Sequence, residues 1–425
     1  MRIRRAFAAA IAASVASAAT GAPEGAAAAA GAHASLPLLT VQQAVALAAT
    51  DQPSVAAYDS EAAASQQAAV AARSLPDPVV SVGIQNYPVT GMNAPSPTRE
   101  EMTMYTDGVM REQVRRSQRE AEAAQLRAEA AVSRFRGSAR QQMIQREVMK
   151  AWIDAVEARA KQALLAQVIA DLRTGQKVME AGVPTGASSP ALALEAQAEV
   201  SLAESELADA NGAEDRARSV LRRWIGTAAD RPLPDAIPRI DLPPAVVPDL
   251  DGHPEISVAN AEQEAARRQV DVARAQRGPN VSWSAMIGFR PRYGEMASVQ
   301  LSIPLQLNRG GLQDRRIAEA DARATAALLR AEDAKRELDG QYRQALADFR
   351  SAGVQATEIR SRTLPSLEAA FKAAQARYAG GQGSLDLPLT IVRRYVETNI
   401  SLVEQEGRRA RAAAEIIYLT GEDGQ

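Results

Sequence analysis

The sequence predicts a mainly α-helical protein with a small membrane β-part, built from two copies of one unit: two strands followed by a long helical hairpin. Three observations indicate this class. Short runs alternate apolar with small or polar residues. Long helical stretches that are poor in breakers follow these runs and end at Gly-rich breaks. The features of the first half recur about 200 residues later, a period far longer than that of solenoid repeats.

Residues 1–34 are expected to be an export signal with an Ala-rich spacer. Arginines at positions 2, 4 and 5 precede a short apolar run, and small-residue cleavage patterns end at residues 18 and 34. The sequence leaves the cleavage site open between these two positions. No cysteine occurs in the chain, which excludes disulfides, thiolate metal sites and lipidation at a cysteine.

Charge and composition argue against nucleic-acid binding and favour packed helices. The 49 Lys and Arg residues nearly balance the 51 Asp and Glu residues, so no basic field would attract DNA or RNA. Aromatic residues make up only 4%, and much of the apolar content is Ala, which favours helix and lets neighbouring helices approach closely. The composition is therefore typical of long, closely packed helices.

The first repeat is predicted to span residues 35–230. Thr40 can cap a first helix. A second helix over about residues 55–74 ends at the Leu-Pro-Asp-Pro segment 75–78, because proline disfavours helical backbone in the residue before it. A long helix later runs to a hairpin tip at 182–190, and its apolar residues form the narrow stripe of a coiled coil.

A Pro-rich linker over residues 231–250 is expected to separate the repeats. The second repeat then spans residues 251–425 and has its hairpin tip at 380–385. Its long helix contains one breaker, Pro365, which is expected to kink the helix or to mark a junction.

Four strands are predicted, at about residues 79–87, 102–110, 280–289 and 298–305. One face would be apolar and the other small or polar, as in membrane-barrel strands with a wet interior. A half-buried strand of an ordinary antiparallel sheet is the alternative. On the first interpretation, the predicted lipid-facing residues are Val80, Val82, Ile84, Val281, Trp283, Ile287, Phe289, Val299, Leu301 and Ile303.

The pattern resembles the TolC-like outer-membrane efflux protein family over nearly the whole mature length. The resemblance is carried by the Leu-Pro-Asp-Pro segment, the tip glycines Gly182 and Gly380, the run from Ser302 to Gly310-Gly311, and the helix ends at Gly226 and Gly421. Residues 83–89, 102–104 and 108–110 look most like the heavy-metal (CzcC/CusC-type) branch. One departure is the segment 112–116, which lacks the Gly-Gly found at the second strand-to-helix junction.

The resemblance implies a homotrimer with a 12-stranded outer-membrane barrel on a 12-helix periplasmic tunnel. It also implies a periplasmic adaptor and an inner-membrane pump of the RND type as partners, contact with outer-membrane lipid, and no cofactor. The expected function is a passive conduit that exports metal cations or small toxic compounds. A periplasmic adaptor and a structural coiled-coil protein are the alternatives, although neither would need two hairpins together with duplicated amphipathic strands.

Few residues suggest chemistry of their own, and the sequence predicts no enzyme. His253 is expected to be a lone surface histidine in a turn. Methionines 92, 102, 104 and 110 cluster near the first strands; thioethers favour Cu(I), but Met is more often apolar filler. Asp386 could form an acidic ring at the tunnel entrance or serve as a helix cap. Gly182 and Gly380 are the expected adaptor-docking tips.

Overall fold

Helices make up most of the part of the chain that the structure describes. The structure is a computed structural model, and it describes residues 37–421 except positions 185 and 187 and segments 241–249 and 380–385. The predicted export signal lies outside the described residues. Residues from Leu38 onward form one compact unit.

Each repeat contributes four α-helices to the described chain, and polar caps or prolines start several of them. The Thr40 side chain accepts a hydrogen bond from the Gln43 amide (3.2 Å), and the Ser189 side chain accepts one from the Leu192 amide (3.2 Å). The helices are α1 (Val41–Ala48), α2 (Pro53–Ala71), α3 (Arg116–Gly182), α4 (Pro190–Ile225), α5 (Pro254–Ala275), α6 (Gln313–Glu358), α7 (Leu364–Ala379) and α8 (Asp386–Thr420).

Helix α3 alone is about 100 Å long at 1.5 Å per residue. Its counterpart in the second repeat is divided into α6 and α7 by a π-helical turn, Ile359–Thr363. Pro365 is the second residue of α7 after this turn and has no amide proton for the regular helical hydrogen bond. The breaker identified in the sequence therefore marks a junction. No helix in the described part of the chain is long and apolar enough to cross a membrane.

Four strands form one antiparallel sheet in the order β1-β2-β3-β4: β1 (Val79–Gln85), β2 (Met104–Gln113), β3 (Val281–Phe289) and β4 (Met296–Ser302). Strand β2 extends further than the expected 102–110, because its pairing with β3 continues to Gln113. Strand β4 ends at Ser302, before the expected residue 305 and two residues before Pro304, which cannot donate to a ladder.

The main core lies where α1, α3, α4 and α8 meet. Trp152 is 1% exposed, and its indole Nε1 donates to the Leu39 carbonyl (2.9 Å). The first part of the expected linker belongs to this core, since Leu233 is one of its buried residues and Ile237 and Ile240 pack against the core. These apolar side chains explain why residues 231–240 pack on the helices rather than only connecting the two repeats.

An ion network joins α3 of the first repeat to α8 of the second. Arg411 contacts Glu157 (2.6 Å) and Asp154 (2.8 Å), and Lys161 contacts Glu157 (3.1 Å) and Glu404 (3.0 Å). Glu157 is buried, and removing one partner would leave it without full compensation. The two repeats are therefore held together by specific pairs as well as by apolar packing.

Candidate functional site

The register of the strands defines one apolar face of the sheet. Residues directly opposite each other in an antiparallel pair lie on the same face. Val82 pairs with Asp107, Asp107 with Ile287, and Ile287 with Ala297, so these residues form one row across the sheet. The same register assigns to this face Val80, Val82, Ile84, Tyr105, Asp107, Val109, Arg111, Gln113, Val281, Trp283, Ala285, Ile287, Phe289, Ala297, Val299 and Leu301.

The residues predicted to contact lipid lie on this face wherever they belong to a strand. Ile303 follows the end of β4 and lies outside the sheet. Sequence reasoning missed Tyr105 and Val109 of β2, because Asp107 and Arg111 interrupt the apolar alternation of that strand. The signal that identifies them is their pairing with Phe289 and Ala285 of β3.

The apolar face is open in the single chain. Val82 is 79% exposed and Val299 82% exposed. A contiguous apolar surface of this kind needs lipid or protein to cover it. Aromatic residues lie towards its two ends, with Tyr105 and Phe289 opposite each other at one end and Trp283 opposite Arg111 towards the other. This arrangement is typical of the aromatic girdles of membrane strands.

The other face of the sheet is small and polar, apart from Val79 and its methionines. On β2, Met104 and Thr106 are buried while the alternate residues Tyr105 and Asp107 are exposed. Its residues include Ser81, Gly83, Gln85, Met104, Thr106, Gly108, Met110, Glu112, Ser282, Ser284, Met286, Gly288, Met296, Ser298, Gln300 and Ser302.

The sheet has two edges of equal length, β1 and β4. Each has seven residues, and all of them are exposed. No strand of the described chain lies beyond either edge. Unpaired edges of this kind expose rows of backbone donors and acceptors, which natural sheets cover or close into a barrel.

The two strand-to-helix junctions have different structures. At the first junction, Arg115 donates from its guanidinium to the carbonyls of Ala275 and Gly278 (2.8 Å to Gly278) at the end of α5. At the second, the Asn308 side chain accepts from the Gly311 amide (3.1 Å) in a turn before α6. An arginine anchor thus occupies the first junction, where the sequence lacks the Gly-Gly pair.

The first hairpin tip reverses at a residue other than the one expected. Gly182 is the last residue of α3, and its carbonyl accepts from the Ser188 amide (3.2 Å). The left-handed backbone belongs to Gly186 (φ 72°), where an L side chain would be strained. Val183 still has helical backbone angles, and its carbonyl accepts from the Gly186 amide (3.2 Å), so the turn runs from Val183 to Gly186.

The second tip can be described only in part. Gly380 lies in the segment that the structure does not describe. Helix α8 begins at Asp386, but the side chain of Asp386 is outside the described set. Both an acidic ring at the tunnel entrance and a helix cap agree with this position at the start of α8.

His253 is not the surface residue that the sequence predicted. It is 3% exposed, its Nδ1 accepts from the Glu255 amide (3.3 Å) as the N-cap of α5, and its ring packs edge-on against Tyr418. Burial lowers the pKa of His253, although the nearby Glu255 acts in the opposite direction. The histidine is buried in part by its contact with Tyr418, which is distant in the sequence. The local turn motif around His253 could not predict this contact.

Among the described residues, no group of three or more His, Cys, Asp or Glu side chains is placed to hold a metal ion. The candidate functional site is instead the surface of the sheet, which has one apolar face, one polar face and two edges of equal length, and which is attached to long helical hairpins.

Comparisons with known proteins agree with this geometry. Residues 249–422 match the family model described as "Outer membrane efflux protein". None of the curated proteins matches the chain by sequence.

Several solved structures share the fold over almost the entire chain. CusC, studied for folding and transmembrane channel formation, has a TM-score of 0.76 and 17% identity, over 92% of this chain and 94% of that one. The outer membrane protein VceC of Vibrio cholerae has a TM-score of 0.72 and 19% identity, over 91% and 97%. The CmeC outer membrane channel of Campylobacter jejuni has a TM-score of 0.74 and 15% identity, over 90% and 87%.

The family match covers the second repeat, and the fold shared with these proteins extends through the first. Residues 249–422 thus match the outer membrane efflux protein family, and the described chain as a whole has the fold of outer-membrane channels such as CusC and CmeC.

Proposed function

We propose that the protein works as a homotrimer that exports metal cations or small toxic compounds, which a periplasmic adaptor and an inner-membrane pump of the RND type deliver. Three copies of the four-stranded sheet would close a barrel of twelve strands, and their helical hairpins would form the tunnel below it. The apolar faces would then contact outer-membrane lipid, and the polar faces would line the lumen.

The matched edges of the sheet are the observation that carries this proposal. Strands β1 and β4 have equal length and opposite direction, since each consecutive pair in the sheet is antiparallel. Strand β1 of one copy can therefore pair antiparallel with β4 of the next. Such a head-to-tail contact closes a ring and removes every edge.

The proposed division into repeats assigns the adaptor contacts to the two hairpin tips. Residues 35–230 and 251–425 would each supply one tip, at Gly182 and at Gly380. A groove near the first tip supports a docking role for this end. It lies between α3, α4 and α8, and its lining combines the apolar Val168 and Val396 with the carboxylates of Glu195 and Glu199.

The cargo is proposed at the level of a class. The fold shared with CusC and the resemblance of residues 83–89 to the heavy-metal branch favour metal cations. Growth of a deletion strain on a panel of metal salts and drugs, with and without the gene restored, would identify the cargo. Equal growth of both strains on every compound would contradict an export function.

The channel itself can be tested with purified protein. The proposal predicts detergent-dependent trimers that migrate faster before heating than after, and stable conductance in planar bilayers. A monomer that is soluble without detergent would refute the proposal.

We further expect Asp386 to form an acidic ring at the tunnel entrance. Three carboxylates at one constriction attract cations, as charged rings do in cation-selective pores. In bilayer recordings, Asp386→Asn should lower the cation preference and weaken block by multivalent cations added from the periplasmic side. An unchanged reversal potential together with unchanged block would leave Asp386 as a helix cap only.

A further inference from the structure

The connection between β4 and α6 exposes large apolar side chains beyond the end of the sheet. Leu305 is 79% exposed and Leu307 is 91% exposed, and Ile303 and Leu312 of the same connection are also exposed. Ile303 continues the alternation of Leu301, the last apolar-face residue of β4. The connection therefore extends the apolar face towards the helices, and like that face it needs lipid or protein to cover it.

Three exposed arginines follow these apolar side chains in the chain. Arg309 lies in the same connection, and Arg315 and Arg316 lie in the first turn of α6. The Arg309 carbonyl accepts from the Asp314 amide (2.9 Å), which brings Arg309 next to the start of α6. Cations are unfavourable in the first turn of a helix, so the stability of α6 does not explain the two arginines there.

The carboxylates closest in the sequence are engaged by other arginines. Asp314 pairs with Arg277 (3.1 Å), and Glu319 pairs with Arg323 (2.6 Å). In the part of the chain that the structure describes, the three exposed arginines form no ion pair of their own. Residues 303–316, which we call the anchor surface, therefore combine exposed apolar side chains with uncompensated positive charge.

A neighbouring copy would not neutralise this charge. In the proposed ring, the end of β4 would lie beside the start of β1 of the next copy, which segment 73–78 precedes. That segment contains the carboxylate of Asp77 but also Arg73, so it adds no net negative charge. Anionic phospholipids offer both complements of the anchor surface, because their phosphates lie next to acyl chains.

We propose that the anchor surface binds anionic phospholipid of the membrane leaflet on the helical side of the sheet. The apolar side chains of the connection lie among the acyl chains, and the three arginines bind the headgroup phosphates. Arginine suits this place because its apolar stem can stay in the lipid while the guanidinium reaches the headgroup layer. The inference rests on the proposed function, since only a sheet inserted in the outer membrane brings this connection to a lipid surface.

Lipid binding to the purified trimer in detergent tests the anchor surface. Phosphatidylglycerol and phosphatidylcholine with the same acyl chains are added separately, and the temperature at which the trimer dissociates is followed against lipid concentration. We expect saturable stabilisation by phosphatidylglycerol and much weaker stabilisation by the zwitterionic lipid. The combined Arg309→Gln, Arg315→Gln and Arg316→Gln variant should bind phosphatidylglycerol at least about tenfold more weakly.

Matched variants test whether the effect is specific to the anchor surface. The combined Arg330→Gln, Arg336→Gln and Arg350→Gln variant removes the same charge from exposed positions further along α6, and it should bind phosphatidylglycerol like the unmodified protein. Replacing the three anchor arginines by lysine keeps the charge and should keep most of the affinity. Leu305→Ser combined with Leu307→Ser keeps every charge and should weaken binding of both lipids. Single Arg→Gln variants give the same comparison if the combined variant does not assemble.

Three results would overturn the anchor. Equal binding of phosphatidylglycerol by the unmodified and glutamine-substituted trimers would exclude the three arginines. Equal stabilisation by inorganic phosphate would mean that the surface binds a free anion rather than a lipid. A glutamine variant that is less stable in detergent alone, with an unchanged response to lipid, would show that a neighbouring copy covers the surface.

Trimer yield and conductance, measured in the same preparations, separate this inference from the proposed function. Conducting trimers with no preference for phosphatidylglycerol would refute the anchor alone. Absence of trimers would refute the proposed function, and this inference with it.

Discussion

At the scale of single residues, neighbours on one strand should respond in opposite ways to the same charge. Ala285 lies on the apolar face of β3, in the row of Val109 and Val299, whereas Ser284 lies on the polar face. Ala285→Asp places a carboxylate in lipid and should destabilise the inserted barrel by up to about 2 kcal/mol. Ser284→Asp, the matched control, should cost little because it faces water.

The two variants are compared by their trimer yield in outer-membrane fractions and by the temperature at which each trimer dissociates. Equal losses for the two would show that the faces are assigned wrongly. Asp107 is a natural carboxylate on the apolar face, so this face tolerates a charge at its position. It lies one row from the end formed by Ile84, Tyr105 and Phe289, where the cost of a charge falls towards the lipid headgroups.

His253 predicts a pH dependence of the helical part. Its folded pKa is depressed by burial, so its contribution to stability is complete above its ordinary pKa of about 6.5 and is lost as the pH falls through the lower folded value. Protonation of Nδ1 also removes the acceptor for the Glu255 amide, a cap worth about 1 kcal/mol.

Thermal unfolding between pH 7.5 and pH 5 compares the native chain with His253→Asn. Asparagine keeps a capping oxygen but does not titrate, so the variant should lose less stability on acidification. Identical pH profiles would mean that protonation of His253 does not contribute.

At the scale of elements, the anchor between β2 and α3 should depend on the shape of the arginine. Arg115 contacts two carbonyls at the end of α5, where the helix dipole is negative. Arg115→Lys keeps the charge but loses the forked contact, and should destabilise the chain by about 1.5–3 kcal/mol. The next residue, Arg116, forms an exposed pair with Glu120, and Arg116→Lys should have little effect.

Chemical denaturation of the two variants gives the comparison. An Arg115→Lys midpoint that equals that of Arg116→Lys would show that the junction does not need the guanidinium.

The elements that could be predicted from the sequence are those with a long or regular pattern. Helices α3 and α4 follow from many residues without breakers, and β1 from its alternation. The face of β2 could not be assigned, because it depends on pairing with β3, a contact between the two repeats. The turn at Gly186 was not distinguished from Gly182, because both glycines follow the helix pattern closely and only the backbone angles separate them.

At the scale of the whole molecule, the proposed trimer would cover what a single chain leaves open. Its sheet has two free edges and an exposed apolar face, and its helical hairpins present long sides to potential neighbours. Closure by three copies would satisfy the backbone groups at the edges, which lipid cannot do. In the proposed ring, β1 of each chain would pair with β4 of the next.

The most direct test of this account is cysteine cross-linking between β1 and β4 of different copies, which the absence of native cysteines makes specific. Residues 80, 82 and 84 on β1 would be combined in turn with residues 297, 299 and 301 on β4, all on the apolar face. The account predicts that at least one double variant forms a covalent trimer on oxidation, whereas no single variant cross-links, because β1 meets β4 and never another β1. Disulfide-linked dimers of a β1 single variant, or no cross-link in any combination of membrane-inserted protein, would contradict it.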